Sequence, residues 1–301
     1  MLTKEQSHQP TIIVGCDTRI SGGMLASALM AGICSVGANA IYVGVAPTPA
    51  IAYLTRKHKV DAGVVISASH NPMEFNGIKF FNGDGYKLSD NLEDEIEALI
   101  RNDMEDVDFP IGPGIGKVEY RLDIVDEYIR YQEKTVPVDL SKLKIVVDCA
   151  EGASSYTSVK TLKDLGADLI AIHTSPDGTN INANCGSTHM DELRARFVSE
   201  KADVGIAFDG DADRMLAVDK NGNLIWENDV IKHHFGDLYA QIRYGAYQSG
   251  FDSQKTEHIG FYVDWSEGRH YRKDLGYWIN MVNAEVVGNI FDNPELLESE
   301  G

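Results

Sequence analysis

Three aspartates at alternate positions are the residues whose spacing most directly predicts chemistry. Asp209, Asp211 and Asp213 lie in the segment FDGDADR (208–214). An extended or gently curled backbone points side chains at i, i+2 and i+4 the same way, and Gly210 lets the loop curl. Three clustered carboxylates are costly without a cation, and hard oxygen ligands suit Mg²⁺, which also takes phosphate oxygens. A solvated acidic turn that holds no cation is the alternative.

A calcium loop of the EF-hand type is a further alternative for these aspartates. Such a loop starting at Asp209 requires glycine at its sixth position and glutamate at its twelfth. Those positions hold Arg214 and Lys220. The sequence therefore argues against calcium of this type.

A serine in a small-residue turn is the second candidate. Ser69 lies in ISASHNPMEFNGIKFF (66–81), next to His70 and directly after an apolar run. Ligands of parallel sheets collect beyond the carboxyl ends of strands, so the hydroxyl can be presented there as a nucleophile if charge or a base supports it. An ordinary turn serine beside an ordinary loop histidine is the alternative.

Two more loops could bind an anion or close over a ligand. Arg19, in VGCDTRISG (14–22), follows a predicted strand and precedes a predicted helix, whose N-terminal amides favour an anion. A surface ion pair with Asp17 is the alternative. The polar segment PDGTNINANCGSTH (176–189) lacks periodicity and indicates a functional loop or a cap.

These loops require a scaffold of alternating strands and helices, which the first 225 residues predict. Strands separated by helices of 10–15 residues indicate crossover units and largely parallel sheets. The predicted strands are 11–15, 40–47, 62–68, 140–150, 167–174 and 202–210. The predicted helices are 20–37, 89–102, 121–136, 154–166 and 191–202.

The character of the chain changes near residue 225. All three tryptophans (Trp226, Trp265 and Trp278) lie beyond it, and HIGFYVDW (258–265) and EVVGNI (285–290) alternate as strands do. We predict two α/β domains with mixed, largely parallel sheets, followed by a small β-rich, barrel-like domain. The predicted boundaries are 1–125, 126–225 and 226–301.

Composition limits the partners. The formal net charge is -19, which argues against nucleic acid and anionic membranes because both need a basic face. The four cysteines are scattered and predict reduced thiols, and no apolar run approaches a membrane span. A cytoplasmic protein is expected. The sequence does not predict the oligomeric state.

Seven segments together resemble the α-D-phosphohexomutases, and among them the bacterial phosphoglucosamine mutases. The similar segments are VGCDTRISG, TPA, ISASHNPMEFNGIKFF, GYKL, IVVDCAEGA, NINANCGSTH and AFDGDADR. They cover residues 11–225 and correspond to the first two domains of the family. The S-H-N-P and D-G-D-A-D-R motifs are long and specific.

The resemblance implies a role for each motif residue. Ser69 matches the serine that carries the phosphoryl group as phosphoserine. The implied ligands of one Mg²⁺ per chain are Asp209, Asp211, Asp213 and the phosphorylated Ser69. Arg19, His70 and Lys79 match catalytic residues around the phosphoserine, with Lys79 a candidate for proton transfer, and Arg214 is implied to bind substrate.

The implied reaction is phosphoryl transfer within a hexose phosphate. The phosphoserine gives its phosphate to one end of the sugar, and the bisphosphate intermediate returns the other phosphate to the serine. Positioning and charge neutralisation supply most of such catalysis. The CGSTH segment favours conversion of glucosamine 6-phosphate to glucosamine 1-phosphate.

The sequence also departs from the family pattern. Glu151 stands where the family usually has asparagine. The chain begins after the usual phenylalanine-glycine-threonine-aspartate-glycine segment. The resemblance ends before the third and fourth domains, so we expect a truncated and impaired mutase.

The remaining segment resembles a different family. Residues 219–298 are similar to the YopX proteins of phages, which are small and β-rich, and the predicted junction lies at 219–226. We expect a chimera. The hypotheses are a Mg²⁺- and phosphoserine-dependent mutase, an inactive phosphate- and metal-binding remnant, and a YopX-type interaction module with the first 225 residues as a passenger.

Overall fold

The computed structural model describes most of the first 218 residues and several strands beyond them. The described residues are 8–102, 107–136, 139–218, 224–225, 229–232, 239–248, 257–264 and 285–289. They divide into two compact units. The first draws on Met1–Lys142, Val147–Met190 and Ala207–Met215, and the second on Leu143–Val146, Asp191–Ile206 and Leu216–Gly301.

A five-stranded sheet forms the centre of the first unit. Its strands are β1 (Thr11–Cys16), β2 (Asn39–Val45), β3 (Ala62–Ile66), β4 (Ile78–Asn82) and β5 (Val118–Tyr120), in the order β4-β3-β1-β2-β5. β1 pairs in parallel with β2 and β3, and β2 pairs in parallel with β5. β4 is antiparallel to β3. The prediction of a mixed, largely parallel sheet is confirmed.

Helices cover both faces of this sheet because its strands are apolar on both sides. Ile13 packs in a cluster with Ile51 and Leu54 of α2 (Thr48–His58) and with residues of α4 (Val125–Thr135). Its neighbour Val14 packs on the opposite face, against α1 (Gly22–Ser35). Successive side chains of a strand point to opposite faces, so one buried strand contributes to two cores.

A second sheet has the strand order β10-β9-β8-β6-β7. Its strands are β6 (Lys144–Asp148), β7 (Asp168–Ile172), β8 (Val204–Phe208), β9 (Met215–Val218) and β10 (Leu224–Ile225). The remaining helices are α3 (Asp90–Arg101), α5 (Ser154–Asp164) and α6 (Asp191–Glu200). None of the helices in the described part of the chain combines the length and the apolar character of a membrane span.

A third sheet confirms the prediction of a β-rich C-terminal part. Its strands β11 (Asp229–Lys232), β12 (Tyr239–Gln248), β13 (Glu257–Asp264) and β14 (Glu285–Asn289) have the order β13-β12-β11-β14. Each neighbouring pair is antiparallel. The three tryptophans and most of the predicted junction lie outside the described residues. Barrel-like closure and the three domain boundaries stay predictions.

The segment around the serine loop differs from the pattern expected from sequence. The strand expected over 62–68 ends at Ile66, and the end of the segment expected as a loop, IKFF (78–81), is strand β4. β4 pairs with β3 from Ile66–Ile78 to Ala62–Asn82, and Lys79 lies opposite Val65. Because the chain turns back on itself within the serine segment, Lys79 lies on the strand next to the one that leads into Ser69.

Candidate phosphoryl-transfer and metal site

A tight loop presents Ser69 at the end of β3. Ser69 is buried and has a left-handed backbone, with φ of 55°. Its amide donates to Ser67 Oγ at 2.9 Å. Gly77 holds the other side of the loop, where Ser67 N donates to its carbonyl at 2.9 Å. A non-glycine residue in this region is strained, and such strain persists only where the surroundings fix it.

The hydroxyl of Ser69 faces two charged groups from the aspartate segment. Ser69 Oγ donates to Asp209 Oδ2 at 2.6 Å. Arg214 Nη2 donates to Ser69 Oγ at 3.0 Å, and half of the Arg214 side chain is exposed. The hydroxyl thus lies between a buried carboxylate and a guanidinium that reaches in from solvent.

The aspartates lie in a curled loop that follows β8. Ala212 has φ of 55°, Ala212 N donates to Asp209 O at 3.0 Å, and Arg214 N donates to Asp209 Oδ1 at 3.2 Å. Asp209 and Asp211 are fully buried, whereas Asp213 is exposed. Carboxylate oxygens of the three residues lie within 4.8 Å of one another, a spacing that permits one metal ion.

The positively charged side chain of Lys79 lies within this acidic cluster. Its ammonium donates to Asp211 Oδ2 at 2.6 Å and to Asp213 Oδ2 at 2.7 Å. Thr48 Oγ1 also donates to Asp211 Oδ2, and Thr48 N donates to the Asp211 carbonyl at 2.9 Å. Within the described residues, no hydrogen bond reaches Asp211 Oδ1, although that atom is buried.

Burial and mutual repulsion shift the acid–base behaviour of the cluster. Burial, above all, raises the pKa of Asp209 to about 6; the hydrogen bond from Ser69 opposes the shift, and the charges of Asp211 and Asp213 add to it. Burial alone lowers the pKa of Lys79, but its hydrogen bonds to Asp211 and Asp213 outweigh burial and raise it. The lysine is therefore held as an ammonium in this arrangement.

Arg19 and His70 lie differently around the serine loop. The buried Arg19 guanidinium pairs with Asp17, and its Nη2 donates to Asn71 O at 2.6 Å. Arg19 therefore supports the serine loop through a hydrogen bond to a backbone carbonyl. His70 is exposed, and no hydrogen bond or ion pair of its side chain is found among the described residues.

Asn182 is a residue that the sequence did not single out. It is buried, and its Nδ2 donates to Ser69 O at 2.8 Å and to Asn71 O at 3.1 Å. Its own φ is 58°. The sequence did not single out Thr48 either. Thr48 and Asn182 both reach the site through hydrogen bonds to residues distant in sequence, which no local spacing encodes. The available signals were their membership of the TPA and NINANCGSTH segments.

We expect Asn182→Ala to lower the free energy of unfolding by about 1–3 kcal/mol more than Asn184→Ala does, because the Ser69 and Asn71 carbonyls each lose one of their donors. Asn184 is a matched control: it is exposed and has φ of 56°, so both changes place alanine in a left-handed backbone. Urea unfolding of the two variants measures the difference. Equal losses would mean that the hydrogen bonds of Asn182 add no stability.

The serine and aspartate loops approach closely through glycines. A Cβ added to Gly210 would lie 2.7 Å from both Ser69 O and Asn182 Nδ2. A Cβ added to Gly152 would lie 2.7 Å from Gly210 Cα. Ala153 N donates to Gly210 O at 2.8 Å. Only residues without a side chain fit at positions 152 and 210.

Glu151 stands where the resemblance described above predicts asparagine, and its backbone conformation is compatible with that expectation. Its φ is 51°, a left-handed value that asparagine adopts more readily than glutamate. The Glu151 side chain accepts a hydrogen bond from Ser175 N at 2.6 Å. This hydrogen bond links the turn after β6 to Ser175.

Comparison with known proteins places this geometry in a family. Residues 1–106 match the family model of phosphoglucomutase/phosphomannomutase alpha/beta/alpha domain I, and residues 126–222 match that of domain II. Over these residues the chain belongs to the phosphohexomutase family. The phosphoglucosamine mutase of Clostridium novyi (strain NT) is 60% identical over 221 residues, which are 73% of this chain and 49% of the relative. That of Clostridium acetobutylicum is 57% identical over 225 residues, or 75% of this chain and 50% of the relative.

Solved phosphohexomutase structures share the fold. A phosphoglucomutase/phosphomannomutase family protein from Burkholderia thailandensis has a TM-score of 0.63 and 27% identity, over 72% of this chain and 48% of that one. A putative phosphomannomutase from Thermus thermophilus has a TM-score of 0.62 and 24% identity, over 74% of this chain and 51% of that one. At 24% identity the second match supports the fold alone.

The C-terminal part matches a different family. Residues 216–298 match the YopX protein model. The chain spans about half the length of the curated phosphohexomutases that it matches. The resemblance to both families that the sequence predicted is confirmed.

Proposed function

We propose that the site takes up a phosphoryl group on Ser69 from a hexose bisphosphate, the half-reaction of a phosphoserine-dependent mutase. The observation that carries the proposal is the position of Ser69 Oγ, 2.6 Å from Asp209 Oδ2 and 3.0 Å from Arg214 Nη2. Asp209 orients the Ser69 hydroxyl, and the guanidinium of Arg214 supplies positive charge for the oxygens of the incoming phosphate. The membership of the phosphohexomutase family supports the same reaction.

The transfer step is balanced without an additional reactant. The Ser69 oxygen forms a bond to phosphorus as the bond between phosphorus and the sugar oxygen breaks. The hydroxyl proton leaves Ser69 and the sugar oxygen gains one, so the products are phosphoserine and a hexose monophosphate. Asp209 Oδ2 accepts the hydrogen bond of the hydroxyl and aligns its lone pairs for attack.

The aspartate cluster fits Mg²⁺. Two fully buried carboxylates, the raised pKa of Asp209 and, among the described residues, an Asp211 Oδ1 that accepts no hydrogen bond are all compatible with a cation bound at this cluster. We propose Asp209, Asp211, Asp213 and the phosphorylated Ser69 as the ligands of one ion. When bound, Mg²⁺ neutralises charge on the transferring phosphoryl group.

The basic residues have distinct proposed roles. Arg214 binds the incoming phosphate, since its exposed guanidinium already contacts Ser69 Oγ. Lys79 is the candidate for proton transfer with the sugar hydroxyl once it is released from Asp211 and Asp213. Arg19 positions the serine loop, and the exposed His70 is free to meet substrate.

Turnover of glucosamine 6-phosphate to glucosamine 1-phosphate is the proposed full reaction, as the names of the relatives suggest. Because the chain spans about half the length of those relatives, a remnant that binds phosphate and metal without turnover is the second candidate. A YopX-type interaction role for the C-terminal part and a cytoplasmic location stay predictions.

Mass spectrometry separates these candidates. The full chain is incubated with glucose 1,6-bisphosphate and Mg²⁺, and intact mass and peptide mapping then locate any added phosphate. We expect one phosphoryl group per chain, on Ser69. Phosphorylation with production of glucosamine 1-phosphate supports the full mutase, and phosphorylation without conversion supports the half-reaction alone. An unmodified Ser69 would overturn the proposal.

Divalent cation binding should depend on pH through Asp209. Its raised pKa of about 6 means that the carboxyl is protonated below that pH, where a proton competes with the cation. We expect the apparent affinity for Mg²⁺ to be constant above pH 7 and to fall about tenfold per unit well below pH 6. Calorimetric titrations from pH 5 to pH 8 measure it. A flat profile over that range would contradict a buried aspartate ligand with this pKa.

A further inference from the structure

A second cluster of metal-ligating side chains lies elsewhere in the first unit. Asp148, His173 and Cys185 place a carboxylate oxygen, a ring nitrogen and a sulfur within 4.8 Å of one another. We propose that this cluster binds a borderline divalent cation of the Zn²⁺ type. The proposal is independent of phosphoryl transfer at Ser69.

The fold brings the three residues together at strand ends. Asp148 is the last residue of β6, and His173 directly follows the neighbouring strand β7. Cys185 directly precedes a 3-10 turn formed by Gly186–Thr188. The carboxyl ends of adjacent strands are where α/β sheets collect ligands, and a loop that closes over them completes the set.

Backbone amides hold the carboxylate in place. Asp148 Oδ1 accepts from Ala150 N at 2.8 Å, and Asp148 Oδ2 accepts from Gly186 N at 2.9 Å. His173 Nδ1 lies 3.0 Å from Asp148 Oδ2. Each carboxylate oxygen has two lone pairs, so an oxygen that accepts one amide can still bind a cation. The Gly186 contact also fixes the backbone beside Cys185.

Ligand chemistry selects the class of cation. A thiolate and an imidazole favour Zn²⁺ or Co²⁺ over Mg²⁺, which prefers oxygen alone. Asp148 and Cys185 are almost fully buried, whereas the His173 side chain is 19% exposed and gives access from solvent. Three protein ligands with a fourth position for water is a common zinc arrangement. The aspartate cluster near Ser69 has oxygen ligands only.

The cluster is connected to the serine site through one loop. Cys185 lies three residues after Asn182, whose side chain holds the Ser69 and Asn71 carbonyls. A cation bound at Cys185 would brace this loop at its far end. Binding should therefore raise thermal stability without occupying the aspartate cluster.

Co²⁺ titration of the full chain tests the proposal, with excess Mg²⁺ present to saturate the aspartate cluster. We expect one equivalent of Co²⁺ to give thiolate-to-metal charge-transfer absorption, and Zn²⁺ to displace it. Cys185→Ser should remove the band and weaken binding more than about 100-fold, because a ligand is lost. Cys34→Ser, which changes a buried cysteine of α1 outside the cluster, should leave it unchanged.

A second variant protects the test against misfolding of the first. His173→Asn removes the ring ligand, and asparagine tolerates the left-handed φ of 51° at this position. It should lose the band as well, with circular dichroism unchanged. No thiolate band in the unmodified protein, or a band that survives in either folded variant, would overturn the proposal.

Discussion

Changing Ser69 to alanine is expected to abolish phosphoryl uptake from a hexose bisphosphate, a loss below the detection limit of intact-mass analysis. The reason is that Ser69 Oγ is the proposed acceptor and lies between Asp209 Oδ2 and Arg214 Nη2. Alanine removes the nucleophile but keeps the Cβ, so the loop contacts through the Ser69 carbonyl can persist. Phosphopeptide mapping after incubation with Mg²⁺ measures the result.

Two controls make this result specific. Ser27→Ala changes an exposed helical serine of the same unit and should leave uptake intact. Divalent cation binding by Ser69→Ala should persist, since Asp209, Asp211 and Asp213 are unchanged. Phosphate found on another residue of Ser69→Ala at the rate of the unmodified protein would show that Ser69 is not the acceptor.

Changing Gly152 to alanine is expected to lower the free energy of unfolding by about 3 kcal/mol and to weaken Mg²⁺ binding together with it. The new Cβ would lie 2.7 Å from Gly210 Cα and 2.8 Å from Gly210 C, which are backbone atoms that cannot rotate away. The aspartate loop must then shift away from the turn after β6. Urea unfolding and cation titration measure the two effects.

Gly32→Ala is the matched control, because a Cβ there meets nothing within 4 Å and the residue is exposed in α1. Alanine exceeds glycine in helix propensity, so this variant should gain up to about 1 kcal/mol of stability. If Gly152→Ala and Gly32→Ala changed stability in the same direction, the close approach at Gly210 would not constrain the site.

Much of the scaffold could be predicted from periodicity alone. Strand β1 and helix α1 follow directly from apolar spacing, because burial on both faces of a parallel sheet leaves a continuous apolar run. Strand β4 could not be predicted this way. IKFF follows a loop of asparagine, proline and glycine, and its pairing with β3 is a contact that local pattern does not encode.

The candidate site was also predictable from the sequence only in part. The motifs placed Ser69 and the three aspartates in loops after strands, and the structure brings Ser69 to Asp209, while their chemical roles stay predictions. Arg19 was expected around the phosphoserine, and its guanidinium lies beside the serine loop, where it donates to the carbonyls of Asn71 at 2.6 Å and Ser69 at 3.5 Å. Carbonyl acceptors are the same at every position of a chain, so no residue pattern reveals which carbonyl a buried guanidinium will reach.

The ammonium of Lys79 lies between Asp211 and Asp213 and offsets their mutual repulsion, so the proposed Mg²⁺ would have to displace a charge that is already in place. Metal binding would then be an exchange of one cation for another. The same exchange would release Lys79 for the proton transfer proposed for it, so that the two events would be coupled.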